Sequence, residues 1–101
     1  MDTFNDLVNE SNGGKLNSKL PPKENRILVD VIQEFGIEEY AVDHKGDFND
    51  FSSADFKFAW WDKTDVDTLE RVEDKVRYEG MTVIASGTAP MKDEAYILFD
   101  V

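Results

Sequence analysis

Hydrophobic positions recur along this chain with two periods, and the switch between them marks its elements. In ADFKFAWW (residues 54–61), Phe56, Phe58 and Trp60 alternate with Lys57, Ala59 and Trp61. Successive side chains of a strand point to opposite faces, so the run predicts a strand with one wholly aromatic, core-facing side. Trp61 has the opposite parity and stands beside Asp62. From Thr64 the period becomes helical, with Val66, Leu69, Val72 and Val76 on one side of a wheel. Thr64 is the expected N-cap, Asp65 and Asp67 suit the positive end of the helix dipole, and Gly80 suits a left-handed stop. Strand, turn and helix over residues 54–80 form the centre of the chain.

A second helix is expected after Pro21-Pro22, because Ile27, Leu28, Val31, Ile32 and Phe35 fall on one arc that ends at Gly36. Thr3 to Glu10 has the spacing of a short helix, with Phe4, Leu7 and Val8 together. The polar stretch SNGGKLNSKL (residues 11–20) reads as a loop or mobile linker. After Gly36, Tyr40 and Val42 share one face of a half-exposed strand, and Lys45-Gly46 marks a turn. Residues 47–53 (DFNDFSS) read as a loop or edge strand. MTVIAS (residues 81–86) is a strand and GTAPMKDE (residues 87–94) a hairpin loop. Residues 95–101 form the last strand, with Ile97, Phe99 and Val101 on one face. The order α-α-β-β-α-β-β predicts an α+β fold: a small, mainly antiparallel sheet of about four strands with two to three helices packed on one face. The organisation expected is an N-terminal segment, residues 1–20, and a single domain, residues 21–101.

A chain of 101 residues is one domain by length and can bury a core without a staple. It has no cysteine, so no disulfide framework exists. No apolar run reaches the roughly 20 residues of a membrane span, and MDTFNDLVNE lacks the basic start and apolar middle of a signal peptide. A cytoplasmic protein is expected. Charge changes the picture more. Twenty-two acidic residues face 11 basic ones, for a net charge of −11. Residues 38–79 alone carry 13 acids and six bases, so the excess is central and not a tail. Direct nucleic-acid binding, which needs Lys and Arg on phosphates, is disfavoured, as is an anionic membrane surface. A basic partner, or no charged partner at all, is left.

Enzyme chemistry has little to stand on. The single histidine, His44, sits beside a Lys-Gly turn, and a nucleophile elbow is absent. Asp43, Asp47, Asn49 and Asp50 offer oxygen ligands, but their spacing is not that of a calcium loop, and a polar turn is the plainer reading. Gly13-Gly14 and Gly87 lack the residues of a phosphate cradle. Neither a cofactor nor a metal is expected. Among 22 carboxylates, chance pairs carry no information.

The remaining chemistry is that of a surface. Asp67, Glu70 and Asp74 line the second helix, where i,i+4 pairing of Asp67 with Arg71 and Glu73 with Arg77 also suits a solvated face. Asp43, Asp47, Asp50 and Asp62 flank the central strand, and Trp61 is the candidate aromatic anchor. The expected partner-binding set is therefore Asp43, Asp47, Asp50, Trp61, Asp62, Asp67, Glu70 and Asp74. Together they suggest a small, non-enzymatic inhibitor or mask of a basic, nucleic-acid-handling protein such as a nuclease. DNA mimics, immunity proteins and small inhibitors encoded by phages or mobile elements act this way as classes. The alternative is a regulatory or adaptor domain that binds through exposed aromatics, such as those of the Phe48–Phe51 loop, or through a sheet edge, with charge serving solubility. A homodimer paired through sheet edges would suit either.

Overall fold

The computed structural model describes residues 16–47 and 53–101. Within them the order is α1 (Pro22–Phe35), β1 (Tyr40–His44), β2 (Phe56–Trp60), α2 (Val66–Tyr78), β3 (Thr82–Ala89), a 3-10 turn (Pro90–Lys92) and β4 (Glu94–Asp100). The four strands form one antiparallel sheet in the order β1-β2-β4-β3. This is the α+β class expected, with two helices among the described residues. The short helix over residues 3–10 lies outside them.

Alternation along the strands builds the core. Phe56, Phe58 and Trp60 of β2 and Ala95, Ile97 and Phe99 of β4 point to one face and are almost fully buried. Phe56 stacks on Phe99 with ring centroids 5.5 Å apart, and Phe58 tilts against Trp60 at 5.2 Å. Ile27, Leu28 and Val31 of α1 and Leu69, Val72 and Val76 of α2 complete the cluster from the helix side. Gly36 ends α1 in the left-handed region at φ 65°, and its N–H donates to the Ile32 carbonyl. Gly80, at φ 106°, turns the chain from α2 into β3. The helices are tied by Lys75 to Glu34 at 3.0 Å and by Lys23 Nζ donating to the Gly80 carbonyl at 2.9 Å.

On the other face of the sheet, Ala59 and Leu98 are buried as well. Lys57 passes over the Tyr96 ring, its Nζ 5.5 Å from the centroid, and reaches the buried Glu94 carboxylate at 3.0 Å.

Three details differ from the sequence reading. The N-cap of α2 is Asp65, not Thr64, because the Asp65 carboxylate accepts from both the backbone N–H and the hydroxyl of Thr68 at 2.8 and 2.9 Å. The Thr64 hydroxyl instead lies 3.2 Å from an Asp93 carboxylate oxygen. The hairpin loop expected over residues 87–94 is shorter, since β3 continues to Ala89 and β4 begins at Glu94. Gly87 belongs in the strand, paired with Tyr96, and a Cβ there would lie 3.0 Å from the Tyr96 hydroxyl, so a larger residue would need the ring to shift by a few tenths of an ångström. Finally, Val101 lies past the end of β4 and is exposed, outside the core that Ile97 and Phe99 join.

Candidate functional site

Three connections meet at one end of the sheet: residues 36–39 between α1 and β1, residues 61–65 between β2 and α2, and residues 90–93 between β3 and β4. Their shape follows from the core. The buried Trp60 indole N–H donates to the Lys63 carbonyl at 2.6 Å, folding the 61–64 segment back on its own strand. The Trp61 N–H donates to the Glu39 carbonyl at 3.1 Å, and the Glu38 N–H donates to the Asp62 carboxylate at 2.7 Å. Thr64 and Asp93 join the third connection to the second.

The three connections thus carry Glu38, Glu39, Asp62, Asp65 and Asp93 to one end of the sheet together with the half-buried Trp61 and the cations Lys63 and Lys92, and Asp67 and Arg71 follow in the first turns of α2. Arg71 is already engaged by Asp67 at 3.2 Å. The hydrogen bond from the Thr68 backbone N–H, followed by that from its hydroxyl, holds the Asp65 carboxyl below its ordinary value, so it carries full charge at neutral pH.

The expected site residues are only partly united. Trp61, Asp62 and Asp67 lie at this loop end. Asp43 sits near the far end of β1, on the sheet face away from the helices, opposite Lys57 in the register. Asp47 lies in the turn beyond β1 and pairs with Lys19 at 3.1 Å. Glu70 and Asp74 follow Asp67 down the exposed side of α2, so they face away from Asp43. Asp50 lies outside the described residues, as do Phe48 and Phe51. Glu38, Glu39 and Asp93 were not singled out from sequence. The only local signal for them was the acidic pair just after the Gly36 stop, because their company with Trp61 is made by three separate connections.

Elsewhere in the surface, carboxylates mostly serve the fold. Glu73 takes a hydrogen bond from the Ser86 hydroxyl at 2.8 Å and pairs with Arg77 at 2.7 Å. Burial pushes its carboxyl up, but the Ser86 and Arg77 contacts outweigh this and hold it below the ordinary value. The His44 ring meets Phe56 edge-on at 4.9 Å, and its Nδ1 accepts from the Gly46 N–H at 3.1 Å. Among the described residues, no group of three or more His, Asp or Glu side chains is placed to hold a metal ion, and no helix is long and apolar enough to cross a membrane. In comparisons with known proteins, no family model, curated protein or solved structure matches this chain.

Proposed function

We propose that this chain is a small acidic binding protein, without enzymatic activity, that masks a basic, nucleic-acid-handling partner such as a nuclease. The observation that carries this reading is the loop end, where three connections bearing carboxylates meet at the end of the sheet that also holds the half-buried Trp61. Such an arrangement attracts a cationic surface over several ångströms and then offers an aromatic side chain to fix it. The acids are held on hydrogen-bonded loops, so little ordering entropy is lost on docking. An origin in a phage or mobile element, and a cytoplasmic site of action, belong to this proposal.

The test is capture from a lysate of the source cell at low and high salt, with the bound protein identified by mass spectrometry. The expected partner handles nucleic acid, is released by salt, and associates roughly tenfold or more slowly as ionic strength rises from low to physiological. Neutralising Glu38, Glu39 and Asp67 together should slow association, while Trp61→Ala should speed dissociation. A salt-independent on-rate would sink the proposal. Tyr78 and Met91, 89% and 101% exposed, favour a second reading as an adaptor domain in which charge serves solubility. A neutral partner retained at high salt, and lost on Tyr78→Ser or Met91→Ser, would select it.

A further inference from the structure

The two edges of the sheet are finished differently. At β1, the Asn17 side-chain amide donates to the Val42 carbonyl at 3.0 Å, and Leu20 is buried in the core beside it. Charged residues Asp43 and Lys45 stand within and just after that strand. The opposite edge, β3, is the longest strand, and its eight residues TVIASGTA contain no charge and no proline. Its main protection is a register shift between Val83 and Ala85, leaving Ala85–Ala89 regular. Long uncharged edges of this kind are templates for a further strand.

The ladder shows which backbone groups have no partner among the described residues. The Val42 carbonyl points away from β2, so Ala41 and Asp43 face it, in keeping with the bonds Trp61 N–H to Glu39 and Lys45 N–H to Asp55. Facing alternates residue by residue across an antiparallel sheet. Carried through the register, Phe58 and Trp60 face β4, Ala95 and Ile97 face β2, and Tyr96 and Leu98 face β3. Their partners Gly87 and Ala85 thus face β4, and the backbone N–H and C=O groups of Ser86 and Thr88 point out of the sheet.

The flanks of this edge decide what suits it. On the helix side, Ser86 bonds Glu73, whose other carboxylate oxygen pairs with Arg77 at 2.7 Å, and the exposed Glu70 lies one turn further along the same side of α2. On the other side, Ala85 and Ala89 are low, and the Tyr96 ring leans over Gly87 between them. A second copy of this chain would bring another charge of −11 to the seam. A cationic strand meets attraction instead, with Lys or Arg over Glu70 and apolar side chains against Ala85, Ala89 and the Tyr96 ring.

We infer that Ser86 to Ala89 is a strand-addition edge, which accepts an extended segment from a partner with alternating basic and apolar residues. The inference is independent of the loop end around Trp61.

The probe is a capped hexapeptide of alternating Lys and Val, with the Glu–Val peptide as its counterpart. Backbone amide shifts and hydrogen exchange of the ¹⁵N-labelled chain give the readout. The Ser86 and Thr88 amides should exchange freely in the chain alone; the Lys–Val peptide should protect them, and the Glu–Val peptide should not. Thr88→Pro removes an outward N–H without touching the β3–β4 ladder, so it should leave the fold intact and weaken binding by at least about tenfold, about 1.4 kcal/mol. Neutralising Glu38, Glu39 and Asp67 should leave this binding within about twofold, which separates its failure from failure of the proposed function. Several outcomes would overturn the inference: protection of both amides in the free chain, equal binding by Thr88→Pro, no shift at the edge, or a dimer at physiological salt abolished by Thr88→Pro.

Discussion

Replacing Trp60 by Phe tests the link between the core and the loop end. The indole is fully buried, and its N–H reaches the Lys63 carbonyl at 2.6 Å. The substitution removes two ring carbons and one N–H from a packed site. At about 0.8 kcal/mol per buried carbon group, the lost transfer energy is roughly 1.6 kcal/mol. Losing the hydrogen bond adds about 1 kcal/mol, with more if the Lys63 carbonyl stays dry. The expected destabilisation is therefore about 3 kcal/mol, a large share of the roughly 5–15 kcal/mol of a typical domain. Urea unfolding followed by far-ultraviolet circular dichroism gives the measurement, since Trp61 complicates fluorescence. The midpoint should fall with the slope unchanged, because the same surface is exposed on unfolding. Trp61→Phe, at a half-buried position, should cost under about 1 kcal/mol. Amide resonances of residues 61–64 should move in Trp60→Phe more than those of β1. A loss below about 1 kcal/mol for Trp60→Phe, or an unmoved 61–64 segment, would refute the claim that this indole shapes the loop end.

Other expectations follow from single contacts. Asp65→Ala should lower the melting temperature more than Thr64→Ala, as the cap lies at Asp65, and thermal scans of the two variants decide it. The carboxyls of Asp65 and Glu73 lie below their ordinary values in the fold, so their stabilisation is present above the unfolded carboxylate range and lost as pH falls through the folded values. Urea midpoints of Asp65→Asn and Glu73→Gln between about pH 5 and pH 2 should thus fall less steeply than those of the parent chain. The hydrogen bond to Glu34 holds Lys75 above its ordinary value against the opposing effect of burial, with further help from Glu34, Glu79 and Asp30. Its contribution is complete below the unfolded lysine value near 10.4 and is lost as pH rises through the folded one, so Lys75→Met should flatten the alkaline limb. Gly80→Ala should cost about 1 kcal/mol or more in urea unfolding, because φ 106° disfavours an L side chain and the new Cβ would lie 3.1 Å from Lys23 Nζ.

Among the described residues, both helices and all four strands were legible from spacing, because each buries one face and a buried face imposes its period on the sequence. Proline before α1 and glycine after each helix marked the ends, since those backbone angles admit few residues. The N-cap of α2 was misread by one position: Thr64 and Asp65 are both good caps by type, and only the place of Thr68 and Asp93 around them chooses. The β3–β4 hairpin was misread for a related reason. Gly87 looks like a turn residue until Tyr96, nine positions away, lies across it.

The candidate surface was less legible. Trp61 showed itself by breaking the parity of β2, but an acidic residue announces only its charge, not its neighbours. Glu38, Glu39, Asp62 and Asp93 come from connections far apart in the chain, and they meet because the sheet order and the Trp60 hook fold three loops to one end. Asp43 and Asp74, similar in composition and context, end on opposite sides because the sheet lies between them. The sequence by itself determined the elements, their buried faces and the sign of the surface, all of which depend on local period and residue type. The tertiary structure alone decided which carboxylates share an end of the sheet and which strands, among the described residues, form its edges, because both depend on strand order, and strand order is set by the packing of the whole core.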